Sequence, residues 1–136
     1  MTAQLKSRLD EVRQALLTLH KSLVDAERHG YEQTVGAIQS PAHFLQLLTT
    51  DPWFAWLQPL SQLIVSLDEL DEAEEPLTPA VVEGVIKEAR TLLTPSEAGE
   101  GFGRHYFDAL QADTDVVIAH ADVMRLLGRS KQSGNF

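Results

Sequence analysis

The chain has 136 residues, a formal net charge of −9 at pH 7 and no cysteine. Its length suits a single domain that buries its own core, and the lack of cysteine excludes disulfides, thiolate metal sites and cysteine nucleophiles. Only 11 residues are Lys or Arg and they are scattered along the chain, which argues against binding to nucleic acid.

The first segment, residues 2–35, carries apolar side chains at alternating spacings of four and three. These are Leu5, Leu9, Val12, Leu16, Leu19, Leu23 and Ala26. This seam, widened by a second stripe of Leu17, Val24 and Tyr31, predicts a helix that packs against two neighbours. Gly30 weakens the helix and Gly36 is the better stop.

The second segment has two helix-start signals, Ser40-Pro41 and Asp51-Pro52. We expect a short helix, a break near Asp51 and a longer helix to about Leu70, kinked where Pro59 removes a backbone donor. Its apolar residues are Trp53, Phe54, Trp56, Leu57, Leu60, Leu63, Ile64, Leu67 and Leu70. They cover more than one face, which is more than a one-sided surface helix needs.

The third segment starts at Thr78-Pro79 and ends at Thr94-Pro95. The fourth runs from about Phe102 to Leu127, with Gly128 as its C-terminal cap. Its predicted buried face consists of Phe102, Tyr106, Leu110, Val117, Met124 and Leu127.

Four amphipathic segments with short connections predict an all-α domain over residues 1–128, folded as an antiparallel up-down-up-down four-helix bundle, followed by a frayed polar tail at residues 129–136. A five-helix array is the alternative if residues 41–50 pack as a separate element. No signal peptide is visible, and the longest nearly uncharged stretch, residues 49–66, contains two prolines and is a poor membrane span. We therefore expect a cytoplasmic protein without a membrane partner.

Helical bundles often bind metals, but the residue patterns for such sites are missing. Neither Glu-x-x-His nor His-x-x-x-His occurs, and the five histidines are dispersed. No nucleophile is placed beside a base, so we predict no metal, no cofactor and no catalytic residue, and an enzyme is not favoured. One polar pair, Asp113 and His120, shares the predicted buried face of the fourth segment, and an antiparallel neighbour would place His20 of the first segment near Asp113. We interpret it as a hydrogen-bonded buried pair that fixes helix register, and a metal or acid–base site is the alternative.

The predicted topology brings the first and third connections to the same end of the bundle, where most aromatic and histidine side chains collect. The candidate binding residues are His29, Tyr31, His43, Trp53, Trp56, Arg104, His105 and Tyr106. Such rings either close the end of the bundle or form a binding surface. No specific activity follows. We expect a protein that binds a protein partner or forms a homodimer, and the alternative is a small-molecule or metal binder that uses this aromatic end.

Overall fold

A computed structural model describes residues 2–99 and 101–134, and the side chains of residues 3–99 and 101–128. All regular structure in these residues is helical, which confirms the predicted all-α class. The helices are α1 (Thr2–Thr34), α2 (Pro41–Thr50), α3 (Pro52–Ala55), α4 (Gln58–Glu72), α5 (Pro79–Leu92), α6 (Phe102–Ala112) and α7 (Thr114–Gly134). The described chain thus has seven helices where the sequence predicts four segments, because the second and fourth segments are divided.

The long helix α1 follows the predicted seam, with Leu9, Leu16 and Leu23 among its buried residues. It passes through Gly30, where the indole of Trp53 packs 3.5 Å from the position that a Cβ would occupy. It ends before Gly36, whose φ of 152° lies in the region that favours glycine. The stop signal at Gly36 is therefore the one that operates.

The second segment breaks at Asp51, as predicted, and then breaks again. Asp51 Oδ1 accepts a hydrogen bond from the backbone N–H of Trp53 at 2.8 Å and caps the single turn α3. A new helix, α4, begins at Gln58, so Pro59 lies in its first turn and not inside a longer helix. The predicted kink at Pro59 is wrong, because proline in a first turn removes no helical hydrogen bond.

The fourth segment is also divided, at Asp113. The carboxylate of Asp113 accepts a hydrogen bond from the N–H of Val116 at 3.2 Å and so caps the start of α7. The break shifts the helical phase: Val116, Ala119 and Val123 are buried, whereas Val117, predicted to be buried, is 45% exposed. The predicted cap at Gly128 is also wrong, since α7 continues to Gly134.

α1 lies at the centre of the molecule and packs against α7 and α4, with further contacts to α3 and α5. Arg13 pairs with Asp68 at 3.3 Å, and further along α1 His20 bonds Ser61 at 2.9 Å. Because the partner number falls as the α1 number rises, α4 runs antiparallel to α1. Within the described residues, no helix is long and apolar enough to cross a membrane.

Candidate functional site

Two clusters of rings lie near the C-terminal part of α1, one with α2 and α3 and the other with Trp56, α6 and α7. The first ring cluster consists of Tyr31, Phe44, Trp53 and Phe54, whose neighbouring ring centroids are 5.7 to 5.8 Å apart. The guanidinium of Arg28 lies 4.8 Å from the ring centroid of Phe44. Phe54 is 1% exposed and Tyr31 is 8% exposed, so most of this cluster fills the interior.

The second ring cluster joins α6 and α7 to the turn after α3. Trp56 lies 5.3 Å from Phe102 and 5.3 Å from His105, whose imidazole stacks at 16° to the indole plane. Phe102 stacks in turn on Tyr106, and Tyr106 meets His120 edge to face at 5.4 Å. His105 is exposed and Trp56 is half-buried, so this cluster reaches from the core to the surface.

Glu27 of α1 connects the two clusters. Its backbone carbonyl accepts a hydrogen bond from Trp53 Nε1, and its carboxylate Oε1 accepts one from Trp56 Nε1, both at 3.2 Å. Burial raises the pKa of the Glu27 carboxyl, against the opposing effects of the indole hydrogen bonds and the attraction of His105. Glu27 is not among the candidate residues predicted from the sequence, although it lies three positions after Val24 and four before Tyr31, on the second stripe of α1.

Tyr106 and His120 form the polar core of the second ring cluster. Tyr106 is fully buried, and its hydroxyl lies 2.5 Å from His120 Nδ1. Burial raises the pKa of the Tyr106 phenol and lowers the pKa of His120. Near neutral pH the phenol therefore keeps its proton and the imidazole is uncharged, so the contact is a hydrogen bond between two neutral groups.

The predicted buried pair of Asp113 and His120 is corrected by these contacts. Asp113 caps α7, His120 bonds Tyr106, and both Asp113 and His120 are only half-buried. His20, which we placed near Asp113, instead bonds Ser61, and burial lowers its pKa. The pair was assigned on the assumption of a continuous fourth helix, and the break at Asp113 removes that assumption.

Of the eight candidate binding residues, five belong to the ring clusters and three do not. Tyr31, Trp53, Trp56, His105 and Tyr106 are the five. His43 Nδ1 accepts a hydrogen bond from the N–H of Gln39 at 3.0 Å, which secures the start of α2. Arg104 donates to the carbonyl of Glu97 at 2.6 Å and pairs with Asp108 at 3.4 Å, while His29 is exposed.

The described residues contain no group of three or more His, Asp or Glu side chains that could hold a metal ion. Comparisons of the chain with protein-family models, with curated proteins and with solved structures find no match. Function must therefore be argued from the surfaces and clusters of the chain itself.

Proposed function

We propose that this protein acts through protein–protein contacts and forms a homodimer through the outer face of α5. This outer face consists of Val81, Gly84, Lys87, Glu88, Thr91 and Leu92. The apolar faces of the second segment are not available for this role, because Phe54, Leu57, Leu60, Leu63 and Ile64 are buried within the chain.

The proposal rests on the position of Gly84, a glycine in the interior of α5. An interior helical glycine costs about 1 kcal/mol relative to alanine. A Cβ at position 84 would meet no atom of the described chain within 4 Å, so packing within the described residues does not require glycine. Glycine does allow a second backbone to approach closely.

The surface around Gly84 suits a second helix. A depression of about 440 Å³ lies beside Gly84 and is bordered by Thr91 and Leu92. Val81, one turn before Gly84, is 41% exposed. An apolar depression next to a glycine is a surface against which another helix packs with few voids.

Charge favours a second copy of this chain as the partner. Lys87 and Glu88 are adjacent on α5 and both are exposed. A two-fold axis between positions 87 and 88 of two antiparallel α5 helices puts each Lys87 level with Glu88 of the other copy, and each Gly84 level with Thr91. A face that is complementary to itself in this way fits an isologous dimer.

We further propose that α1, α4, α5 and α7 are the four members of an up-down-up-down bundle, which leaves this face of α5 on the outside. The antiparallel contacts of α1 with α4 support this arrangement, as does the salt bridge from Arg8 near the start of α1 to Glu83 near the start of α5 at 3.2 Å. The hydrogen bond from Arg90 Nη2 to the carbonyl of Leu127, at 2.8 Å, ties α5 to α7.

Sedimentation equilibrium at tens of micromolar tests the dimer. We expect a dimer for the wild type, weaker association for Lys87→Glu and for Glu88→Lys, and restored association for the double substitution, which pairs opposite charges again. A monomeric wild type would overturn the proposal. A double variant that associates no better than the single ones would show that Lys87 and Glu88 do not pair across the interface, and would contradict an interface on the outer face of α5.

Gly84→Ala gives a second test with two opposite effects. We expect the free energy of unfolding of the monomer to rise by about 1 kcal/mol and the dimer to weaken, because the new methyl group separates the two helices. Gly128→Ala is the matched control, since Gly128 also lies inside a helix and an added Cβ would meet no described atom within 4 Å. The control should become more stable without any change in association.

A second candidate function is binding of a small molecule, or of a metal ion, at the exposed part of the second ring cluster. The half-buried Glu27 carboxylate, which accepts a hydrogen bond from Trp56 Nε1, favours it, because a carboxylate attracts cations. The test is tryptophan emission and melting temperature across a panel of amines and divalent metal ions, since binding to the native state raises its stability. Unchanged emission and melting temperature would remove this candidate for the compounds tested.

A further inference from the structure

A surface groove lies along the contact between α1 and α7, and it shares no residue with the outer face of α5. It has a volume of about 340 Å³, and its walls come from positions 10–18 of α1 and 119–126 of α7. The α1 stretch spans about 12 Å at 1.5 Å per residue, which matches two turns of a docked helix. Helix-in-groove contacts of this kind are a common mode of peptide recognition.

Of the nine described residues that border the groove, three are apolar. Ala15 and Ala119 lie on its two sides, and Leu126 is half-buried at one end. Ile118 is adjacent to Ala119, one turn before Asp122, and is 60% exposed. Two alanines leave room for a side chain of a partner, and Ile118 offers an apolar contact for that partner at the edge of the groove.

The rim of the groove is predominantly acidic. Asp10, Glu11 and Asp122 contribute carboxylates, and Arg125 is the single base among the lining residues that the structure describes. Asp10 pairs with Arg13 at 3.2 Å and Asp122 pairs with Arg125 at 3.4 Å. Each pair joins residues of one helix, and the side chains of Asp10 and Asp122 are 54% and 62% exposed. The pairs therefore contribute little and leave these carboxylates able to exchange partners.

We propose that the α1–α7 groove binds a basic amphipathic helix of a partner protein. The apolar side chains of that helix would lie between Ala15 and Ala119 and against Ile118, and its Lys or Arg side chains would pair with the carboxylates of the rim. The net charge of −9 attracts such a partner over a distance, and the groove determines where it binds.

The probe for this site is a synthetic amphipathic peptide of Leu and Lys, about 18 residues long, which forms a helix of about 27 Å. We expect saturable binding to the full chain that weakens as salt is added, and no binding of the matching peptide of Leu and Glu. If the Leu and Lys peptide does not bind, or if the Leu and Glu peptide binds equally well, the proposal is overturned.

Two variants locate the binding site. Ile118→Arg introduces a charge and a long side chain at the groove, and we expect an affinity loss of about tenfold or more, or about 1.4 kcal/mol. Val65→Arg is the matched control, because Val65 is 50% exposed on α4 and the substitution changes the net charge equally. Equal losses of affinity for both variants would mean that the peptide binds by unspecific charge attraction, and would refute the groove as its binding site.

Circular dichroism and sedimentation equilibrium of the same variants distinguish an effect on the groove from an effect on the dimer. Both variants should retain the helical spectrum and the oligomeric state of the wild type, because neither position belongs to the outer face of α5. Loss of peptide binding with an unchanged oligomeric state supports the groove. A change in oligomeric state that accompanies the loss would instead assign Ile118 to the self-association surface and refute the groove.

Discussion

The middle of the molecule and its aromatic end are stabilised in different ways. The middle is built from aliphatic side chains of the long helices, and Leu16, Leu19, Leu23, Leu60 and Leu67 are all fully buried there. The aromatic end combines rings with polar groups, and it depends on hydrogen bonds such as that from Trp56 Nε1 to Glu27 and that between Tyr106 and His120.

This difference separates two sources of structural specificity. Leucines in the middle are held by contact with many neighbours, which has no preferred direction and tolerates small adjustments. At the aromatic end each polar group needs one partner in one geometry, because an unpaired buried donor or acceptor is costly. The middle should therefore respond to lost volume, and the aromatic end should respond to single lost atoms.

The largest expected effect is from removal of volume in the middle. Leu19→Ala should lower the free energy of unfolding by about 2–5 kcal/mol, because Leu19 is fully buried and its loss leaves a cavity. Urea denaturation measures this value. The control on the same helix is Leu17→Ala, since Leu17 is 37% exposed, and its loss should stay below about 1 kcal/mol. Similar losses at both positions would contradict the buried seam.

At the aromatic end, removal of a single oxygen atom should lower the free energy of unfolding. Tyr106→Phe keeps the ring but removes the hydroxyl that bonds His120 Nδ1, so we expect the free energy of unfolding to fall by about 1–3 kcal/mol. The control is Tyr31→Phe, because the structure gives Tyr31 ring contacts and no hydrogen bond of its hydroxyl within the described residues. If the two variants are equally stable, the Tyr106–His120 hydrogen bond does not contribute as inferred.

The same contrast explains how much of the structure the sequence predicts. The spacing of apolar residues predicts the buried face of α1 because that helix runs unbroken, so its phase never shifts. In the fourth segment no Pro or Gly marks the break at Asp113, and a phase carried across it places Val117 inside although it is 45% exposed. Both tryptophans bond Glu27 of α1, and spacing within α1 could not predict this role of Glu27 because the indoles are 26 and 29 positions away.

Acid should weaken the fold through two partly buried histidines. Burial lowers the pKa of His20 and of His120 below the ordinary value of 6.5, so the unfolded chain takes up these protons first. Their contribution to stability is complete above pH 6.5 and is lost as the pH falls from there to the lowered values in the folded state. Glu27 acts in the opposite direction, because its raised pKa lets the folded state bind a proton above the ordinary value of 4.5.

Melting temperatures of the wild type and of the His20→Gln, His120→Gln double variant, compared between about pH 7.5 and about pH 5.5, measure the histidine effect. The variant should lose less stability than the wild type over this interval, because it lacks the two groups that protonate on unfolding. Equal losses would show that other groups determine the acid response.

The smallest expected effect has the opposite sign and lies on the boundary between the two regions. Gly30 belongs to α1 but contacts the aromatic end, since Trp53 Cζ2 lies 3.5 Å from the position of an added Cβ, an ordinary contact distance. Gly30→Ala should therefore raise the free energy of unfolding by about 0.5–1 kcal/mol, because alanine favours the helix and restricts the unfolded chain. Urea denaturation measures the gain, and the emission maximum should stay constant if the indole keeps its place. A destabilised variant with shifted emission would mean that Trp53 packs too tightly on α1 to accept a methyl group, and that the aromatic end constrains the helix more than the leucine seam does.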